Sequence, residues 1–226
     1  QALINLIHQP DLSRGVRITD LCPDNSGVDT SDIYRAQLEA LCQASYEVPA
    51  NHLVIFTPFV SKKSEVKQVI EMAKSIQQQY GQKDLYDLGI TLETYPGFFG
   101  ACELLEEFGI LNYSIGTNDL LSVLHQSTRG ILMPTEQGYE FNPTIENQLV
   151  EQLEKMVAKA NTVIVNGKKA IYNWSIGIAG EMNKMKLHGL RRLLPHLHYI
   201  AAGAPHQVPE LELAVSKMKI WPYAHK

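Results

Sequence analysis

The segment "LNYSIGTNDLLSVLHQSTRG" covers residues 111–130 and changes character in its middle. Residues 111–116 form a short apolar run that is typical of a buried strand. The run stops abruptly at Gly-Thr-Asn-Asp, where the amides of residues 117–120 would open a helix. Burial of a core does not require an Asn-Asp pair at this point, so the segment predicts either a helix cap or a ligand site at the end of a strand.

Five further runs have the same strand-like character, and amphipathic stretches lie between them. The other predicted strands are residues 15–18, 52–58, 88–94, 172–179 and 198–204. Helical spacing is clear in two stretches and weaker in a third; the positions are Val66, Val69, Ile70, Ala73 and Ile76, then Ile145, Leu149, Leu153, Met156, Val157 and Ala160, and then Ile33, Leu38, Leu41 and Cys42. Pro143 stands where a first-turn proline is tolerated. Residues 20–32 and 129–143 have the composition of loops.

This alternation predicts an α/β fold with a parallel sheet covered by helices on both sides. Six strand–helix units can be counted. Both an open doubly wound sheet and a (β/α)₈ barrel remain possible, and a barrel would lack two of its strands in this count.

The composition argues against nucleic acid as a partner and against a membrane span. The chain has 226 residues, of which 45% are hydrophobic and 19% charged, with a formal net charge of −4. These values predict one globular domain without the basic surface that nucleic acid requires. No apolar run reaches the ~18 residues that a membrane span needs, and no signal peptide is visible. Three cysteines at irregular spacing suit a reducing cytosol, and a first residue other than Met suggests a piece of a longer protein.

Two carboxylates stand at the ends of neighbouring predicted strands. Glu93 interrupts an apolar strand, and Asp119 follows the next strand. A buried carboxylate is costly unless it is paired or binds a cation, and Mg²⁺ accepts two protein carboxylates when a phosphorylated substrate supplies further oxygens. The alternative is that Asp119 caps a helix and Glu93 pairs with a lysine.

The same segment could hold an anion. Gly116 allows close approach of the backbone, and the start of the following helix favours phosphate. Arg129 would then lie across the site as a phosphate clamp, although an isolated loop arginine is usually solvated.

Six motifs, in order, resemble the phosphoenolpyruvate (PEP)-utilising enzymes, closest to Enzyme I of the bacterial phosphoenolpyruvate:sugar phosphotransferase system. "YSIGTNDLLSVLHQSTRG" (113–130) is similar to the family's "FSIGTNDLTQYTLAVDRG". The remaining motifs are "LSRGVRI" (12–18), "YRAQLEALCQAS" (34–45), "VIFTPFVSKKSEV" (54–66), "LGITLETYPG" (88–97) and "SIGIAGEM" (175–182). The resemblance extends from about residue 10 to residue 215.

The resemblance implies a PEP-binding (β/α)₈ barrel domain over residues 1–226, with about six of the eight units present. It implies Mg²⁺ held by Glu93 and Asp119, Asn118 in contact with the phosphoryl group, and Arg14 and Arg129 as catalytic, phosphate-binding arginines. The phosphoryl group would pass from PEP to a histidine on another domain, releasing pyruvate. The implied partners are that phosphohistidine domain, a downstream phosphocarrier protein of sugar transport and a second copy of the chain, in the cytoplasm.

Two departures from the family pattern affect these expectations. The family's first two strands would precede Gln1, so the chain is a fragment or the barrel is completed in another way. Ala179 occupies the position of the cysteine that protonates enolpyruvate in the family, which predicts slow pyruvate formation because general acid catalysis contributes roughly 10²–10⁴-fold. The group His188, His196 and His198 has no spacing typical of a metal site.

The sequence is therefore compatible with three functions. The first is an attenuated PEP-protein phosphotransferase domain. The second is a degenerate binding or dimerisation module without turnover, which Ala179 and the missing strands favour. The third is a domain of a PEP synthase or pyruvate phosphate dikinase, which shares the Gly-Thr-Asn-Asp signature.

Overall fold

The computed structural model describes residues 14–18, 31–47, 53–81, 87–110, 112–124, 143–165, 175–180, 190–201 and 207–218. The chain divides into two compact units, Gln1–Thr91 and Leu92–Lys226. All described elements follow the strand-then-helix order that the sequence predicts.

The first unit is built from parallel strands that alternate with helices. Its elements are β1 (Arg14–Arg17), α1 (Ser31–Glu47), β2 (Leu53–Thr57), α2 (Lys63–Gln79) and β3 (Asp87–Leu92), the last of which ends one residue beyond the unit. Strand β1 pairs with β2 with Arg14 opposite Leu53, and β2 pairs with β3 with Val54 opposite Asp87. Parallel neighbours need a crossover connection, and α1 and α2 provide the helical part of these crossovers.

The core of the first unit lies between these strands and their two helices. Its buried members are Ile18, Leu38, Leu41, Cys42, Ala44, Leu53, Ile55, Ala73 and Ile76. Val66, Ala73 and Ile76 are the buried residues of α2, which confirms the helical spacing predicted there. Ile33 is the exception in α1, because its side chain is exposed.

Helix α2 begins directly after two backbone amides that are satisfied by the side chain of a glutamate in its first turn. Glu65 Oε2 accepts hydrogen bonds from the backbone N–H groups of Ser61 and Lys62, at 2.8 and 3.0 Å. These amides have no partner within the helix, so the carboxylate fixes the start of α2 at Lys63.

The second unit continues the alternation. Its described elements are α3 (Tyr95–Phe99), α4 (Ala101–Phe108), β4 (Asn112–Gly116), α5 (Thr117–Leu124), α6 (Pro143–Val165), β5 (Ser175–Ala179), a 3₁₀ helix (Leu194–His196), β6 (Tyr199–Ile200) and α7 (Val208–Met218). Strand β5 pairs in parallel with β4 on one side and β6 on the other. All five residues of β4 are buried, as expected for a central strand of a covered sheet.

Helix α6 packs against α4 and also contacts α3. Leu149, Leu153, Met156 and Ala160 are buried, in agreement with the predicted periodicity, and Pro143 is the first residue of the helix. Gln152 is also buried, and its Nε2 donates to the carbonyl oxygens of Phe98 and Phe99 at 3.0 and 3.2 Å. The last carbonyls of α3 are thereby satisfied by a side chain from another helix.

The observed elements confirm the α/β class and place a strand in each of the six predicted runs. The boundaries differ slightly, since Glu93 follows β3 rather than lying in it, and Ser31, Asp32 and Pro143 belong to helices rather than loops. The remainder of both predicted loops, residues 20–30 and 129–142, lies outside the described residues. Within the described part of the chain, no helix combines the length and apolar character needed to cross a membrane.

Candidate functional site

The candidate site lies at the carboxyl ends of β4 and β5, within the second unit. Strand β4 ends at Gly116, and α5 begins at the next residue, so Thr117, Asn118 and Asp119 form the first turn of the helix. Backbone N–H groups in the first turn of a helix point towards its N-terminal end, where anions are favoured. Asp119 is the third residue of α5 and does not stand at the capping position, as the helix-cap alternative would require.

Glu93 lies against Gly116. The Glu93 side chain is 3% exposed, and a Cβ atom at position 116 would be 2.8 Å from its Oε1 and 3.0 Å from its Cδ. Any larger residue at position 116 would therefore displace the carboxylate. Gly116 creates the space that holds Glu93 beside the start of α5.

Glu93 is held between two regular elements. Strand β3 ends at Leu92, and Thr94 caps α3, with the N–H of Gly97 donating to Thr94 Oγ1 at 3.0 Å. The buried carboxylate therefore stands at the single position between a strand and a helix cap, where its backbone has little freedom.

Ala179 lies on the same face of the sheet as Glu93. It is opposite Gly116 in the pairing of β4 with β5, and paired residues of neighbouring strands project their side chains to the same face. Since Glu93 fills the space above Gly116 on that face, position 179 is directed towards the same region. Ala179 itself is half-buried.

Two further contacts fix the corner at which α5 begins. The hydroxyl of Thr117 donates to the carbonyl oxygen of Ala179 at 3.0 Å. Gly180 has φ of 138°, and a Cβ atom there would lie 2.7 Å from Thr117 Oγ1 and 3.2 Å from Asn118 Oδ1. The end of β5 thus runs close beside the first two side chains of α5.

Polar side chains also fill the same face below the site. Ser175 Oγ donates to Asn112 Oδ1 at 2.8 Å, and the Tyr199 hydroxyl donates to the Tyr113 carbonyl oxygen at 3.0 Å. The ring of Tyr199 covers Gly177, and burial raises its pKa to about 12. Tyr199 therefore stays neutral at physiological pH and serves as a hydrogen-bond donor between strands.

The structure does not test the predicted roles of Arg14 and Arg129. Arg14 belongs to β1 in the first unit, and its side chain lies outside what the structure describes. Arg129 and His188 fall outside the described residues. His198 contacts β5, because its Nδ1 accepts from the N–H of Ile176 at 3.3 Å, and burial lowers its pKa.

The two predicted metal ligands, Glu93 and Asp119, are donors of the kind that Mg²⁺ accepts. Among the described residues, no group of three or more His, Cys, Asp or Glu side chains could hold a metal ion. Glu93 and Asp119 would supply two carboxylates, which suits Mg²⁺ because it keeps water and substrate oxygens as further ligands.

Cys42 and Cys102 are free thiols, and burial raises the pKa of each.

The sequence pattern indicates no side-chain role for Thr117 or Gln152. The signal for Thr117 was a hydroxyl residue directly after a strand, although its partner, Ala179, is 62 residues away. Gln152 is a polar residue within an otherwise apolar helix face, which is a weak signal for a buried hydrogen bond.

Comparisons with known proteins identify the family of this chain. Residues 14–187 match the family described as PEP-utilising enzyme, PEP-binding domain. A phosphoenolpyruvate-protein phosphotransferase of Mycoplasma genitalium is 28% identical over 169 residues, which are 75% of this chain and 25% of that protein. The match thus spans about a quarter of the length of this curated relative. The chain belongs to the family of PEP-utilising enzymes and contains their PEP-binding domain.

Proposed function

We propose that this chain is the PEP- and Mg²⁺-binding catalytic domain of an Enzyme I-like PEP-protein phosphotransferase. The observation that carries the proposal is the placement of buried Glu93 against Gly116, beside the first turn of α5. In this arrangement a carboxylate and the first turn of a helix, which contains Asn118, lie at the carboxyl end of β4. That combination suits a phosphorylated substrate bound together with a divalent cation.

The residues of the chain have distinct roles in this proposal. Glu93 and Asp119 would hold Mg²⁺, which neutralises charge on the phosphoryl oxygens when it is bound. Asn118 donates to a phosphoryl oxygen, and Arg129 and Arg14 bind the phosphate. The bond between phosphorus and the enol oxygen breaks as a bond forms to a histidine nitrogen of another domain. Enolpyruvate then takes a proton on its methylene carbon and becomes pyruvate.

Ala179 should affect the protonation of enolpyruvate and not the binding of PEP. Its side chain faces the same region as Glu93 but carries no proton to donate. The proton must then come from water or another group, and we expect phosphoryl transfer to be retained better than pyruvate formation.

The proposal includes the rest of the assembly that the resemblance implies. The chain supplies about six units of a (β/α)₈ barrel, and the phosphohistidine domain, the phosphocarrier protein of sugar transport and a second copy of the chain are its partners. The relative named as a PEP-protein phosphotransferase supports this choice over a PEP synthase or a dikinase.

A degenerate binding or dimerisation module is the second candidate, and Ala179 is the observation that favours it. Such a module would keep the barrel and bind PEP or a partner without turnover. The two candidates differ in whether a proton donor restored at position 179 brings back pyruvate formation.

Calorimetry with PEP and Mg²⁺ tests the proposed function. The wild-type protein should bind PEP with Mg²⁺ present, and Glu93→Gln should remove the Mg²⁺ dependence because the amide is a poor ligand for this cation. Glu154→Gln is the matched control, since Glu154 is an exposed glutamate on α6. Absence of PEP binding by the wild-type protein, or equal effects of the two substitutions, would remove the proposal.

A further inference from the structure

The Thr117 hydroxyl completes the pairing of β4 with β5 at the point where the backbone of β4 leaves the sheet. Gly116 and Ala179 are the last pair in the register. Beyond Gly116 the chain turns into α5, so no further extended residue of β4 follows to pair with β5. Thr117 is 1% exposed, and its Oγ1 donates to the Ala179 carbonyl oxygen at 3.0 Å. A side chain thus supplies a donor where an extended β4 would have offered a backbone N–H.

Gly180 makes this contact possible. Its φ of 138° is in a region that residues with a side chain rarely adopt, and a Cβ atom there would meet Thr117 Oγ1 at 2.7 Å. The same atom would lie 3.2 Å from Asn118 Oδ1. The backbone at position 180 therefore packs closely against the first two side chains of α5, those of Thr117 and Asn118.

We propose that Thr117 is a positioning residue, which acts through its hydrogen bond to Ala179 to hold Asn118 and position 179 in a fixed relative geometry. The hydroxyl proton is engaged by the carbonyl of Ala179, so Thr117 is assigned to positioning and not to donating a proton to substrate. Asn118 follows directly in the chain, and Ala179 faces the region of Glu93. The expected effect on PEP binding rests on the proposed function. Displacements of about 1 Å in such sites reduce rates and affinities strongly.

Three variants separate positioning from general stability. Thr117→Val keeps the branched shape and removes the donor, whereas Thr117→Ser keeps the donor and removes a buried methyl group. Ser175→Ala is the matched control, because Ser175 bonds to Asn112 between the same two strands at their other end. We expect Thr117→Val to weaken PEP affinity about tenfold in the presence of Mg²⁺, as for loss of one hydrogen bond. Thr117→Ser and Ser175→Ala should bind PEP within about twofold of wild type, on the same scale.

Hydrogen exchange of the backbone amides tests the geometry without any ligand. The amides of Ala179 and Gly180 should exchange about tenfold faster in Thr117→Val than in wild type, and at the wild-type rate in Thr117→Ser and Ser175→Ala. Unchanged exchange in Thr117→Val overturns the inference, as does equal loss of PEP affinity in Thr117→Val and Ser175→Ala. If the wild-type protein binds no PEP, the proposed function fails on its own and exchange still decides whether Thr117 fixes the end of β5.

Discussion

The Oε1 atom of Glu93 lies 2.8 Å from the point that a Cβ atom at Gly116 would occupy. The carboxylate and the glycine belong to different elements, since Glu93 follows β3 and Gly116 ends β4. The space left by one missing methyl group therefore determines where the buried Glu93 side chain is held.

Gly116→Ala should displace Glu93 and weaken Mg²⁺-dependent PEP binding by tenfold or more, on the order of the loss of a charged ligand contact. Calorimetry at saturating Mg²⁺ measures the effect. Gly109→Ala is the control, because Gly109 has φ of 67° at the end of α4 and no neighbour that a methyl group would meet. It should cost roughly 1 kcal/mol of folding free energy through backbone strain and leave PEP affinity unchanged. Retained affinity in Gly116→Ala would contradict the role given to Glu93.

Ala179→Cys should raise the rate of pyruvate formation by at least about 10²-fold, because a thiol at this position can donate the proton that the alanine lacks. Pyruvate release in the presence of the phosphohistidine domain measures this gain. Ala179→Ser is the control, since a serine hydroxyl is a much weaker acid of similar size. No gain from the cysteine would favour the binding module over the attenuated enzyme.

Gln152→Leu should destabilise the fold by about 1–3 kcal/mol, because it leaves the carbonyls of Phe98 and Phe99 without the donor that satisfies them. Urea unfolding measures the loss. Gln148→Leu, at an exposed position of the same helix, should change the free energy of unfolding by less than about 0.5 kcal/mol. Equal effects of the two substitutions would show that the buried amide does not support α3.

His198 predicts a pH dependence of stability. Burial lowers its pKa below the ordinary value of about 6.5, so the unfolded chain takes up the proton first as the pH falls. The contribution of His198 to the free energy of unfolding is therefore fully present above about pH 6.5. It is lost as the pH falls towards the pKa of His198 in the folded state. Protonation would also remove the acceptor for the N–H of Ile176.

His198→Asn separates this group from the carboxylates that titrate in the same experiment. Asparagine can present an oxygen in place of Nδ1 but does not titrate, so its thermal midpoint should fall less than that of wild type between about pH 7 and pH 5. Parallel curves for the two proteins would exclude His198 as the source of the dependence.

The sequence by itself determined the alternation of strands and helices and the position of Asn118 and Asp119 at the end of a strand. These features depend on the local period of apolar residues and on the composition of turns, so a short window contains the information. The roles of Arg14 and Arg129 stay predictions.

Only the tertiary structure decided which side chains share the site. The contact of Glu93 with Gly116 and the hydrogen bond from Thr117 to Ala179 depend on the register between strands, and the second joins residues 62 positions apart. A shift of one residue in that register would turn Ala179 away from Glu93, because side chains alternate between the two faces of a strand. Local sequence patterns do not specify that register, whereas the packing of the folded sheet does.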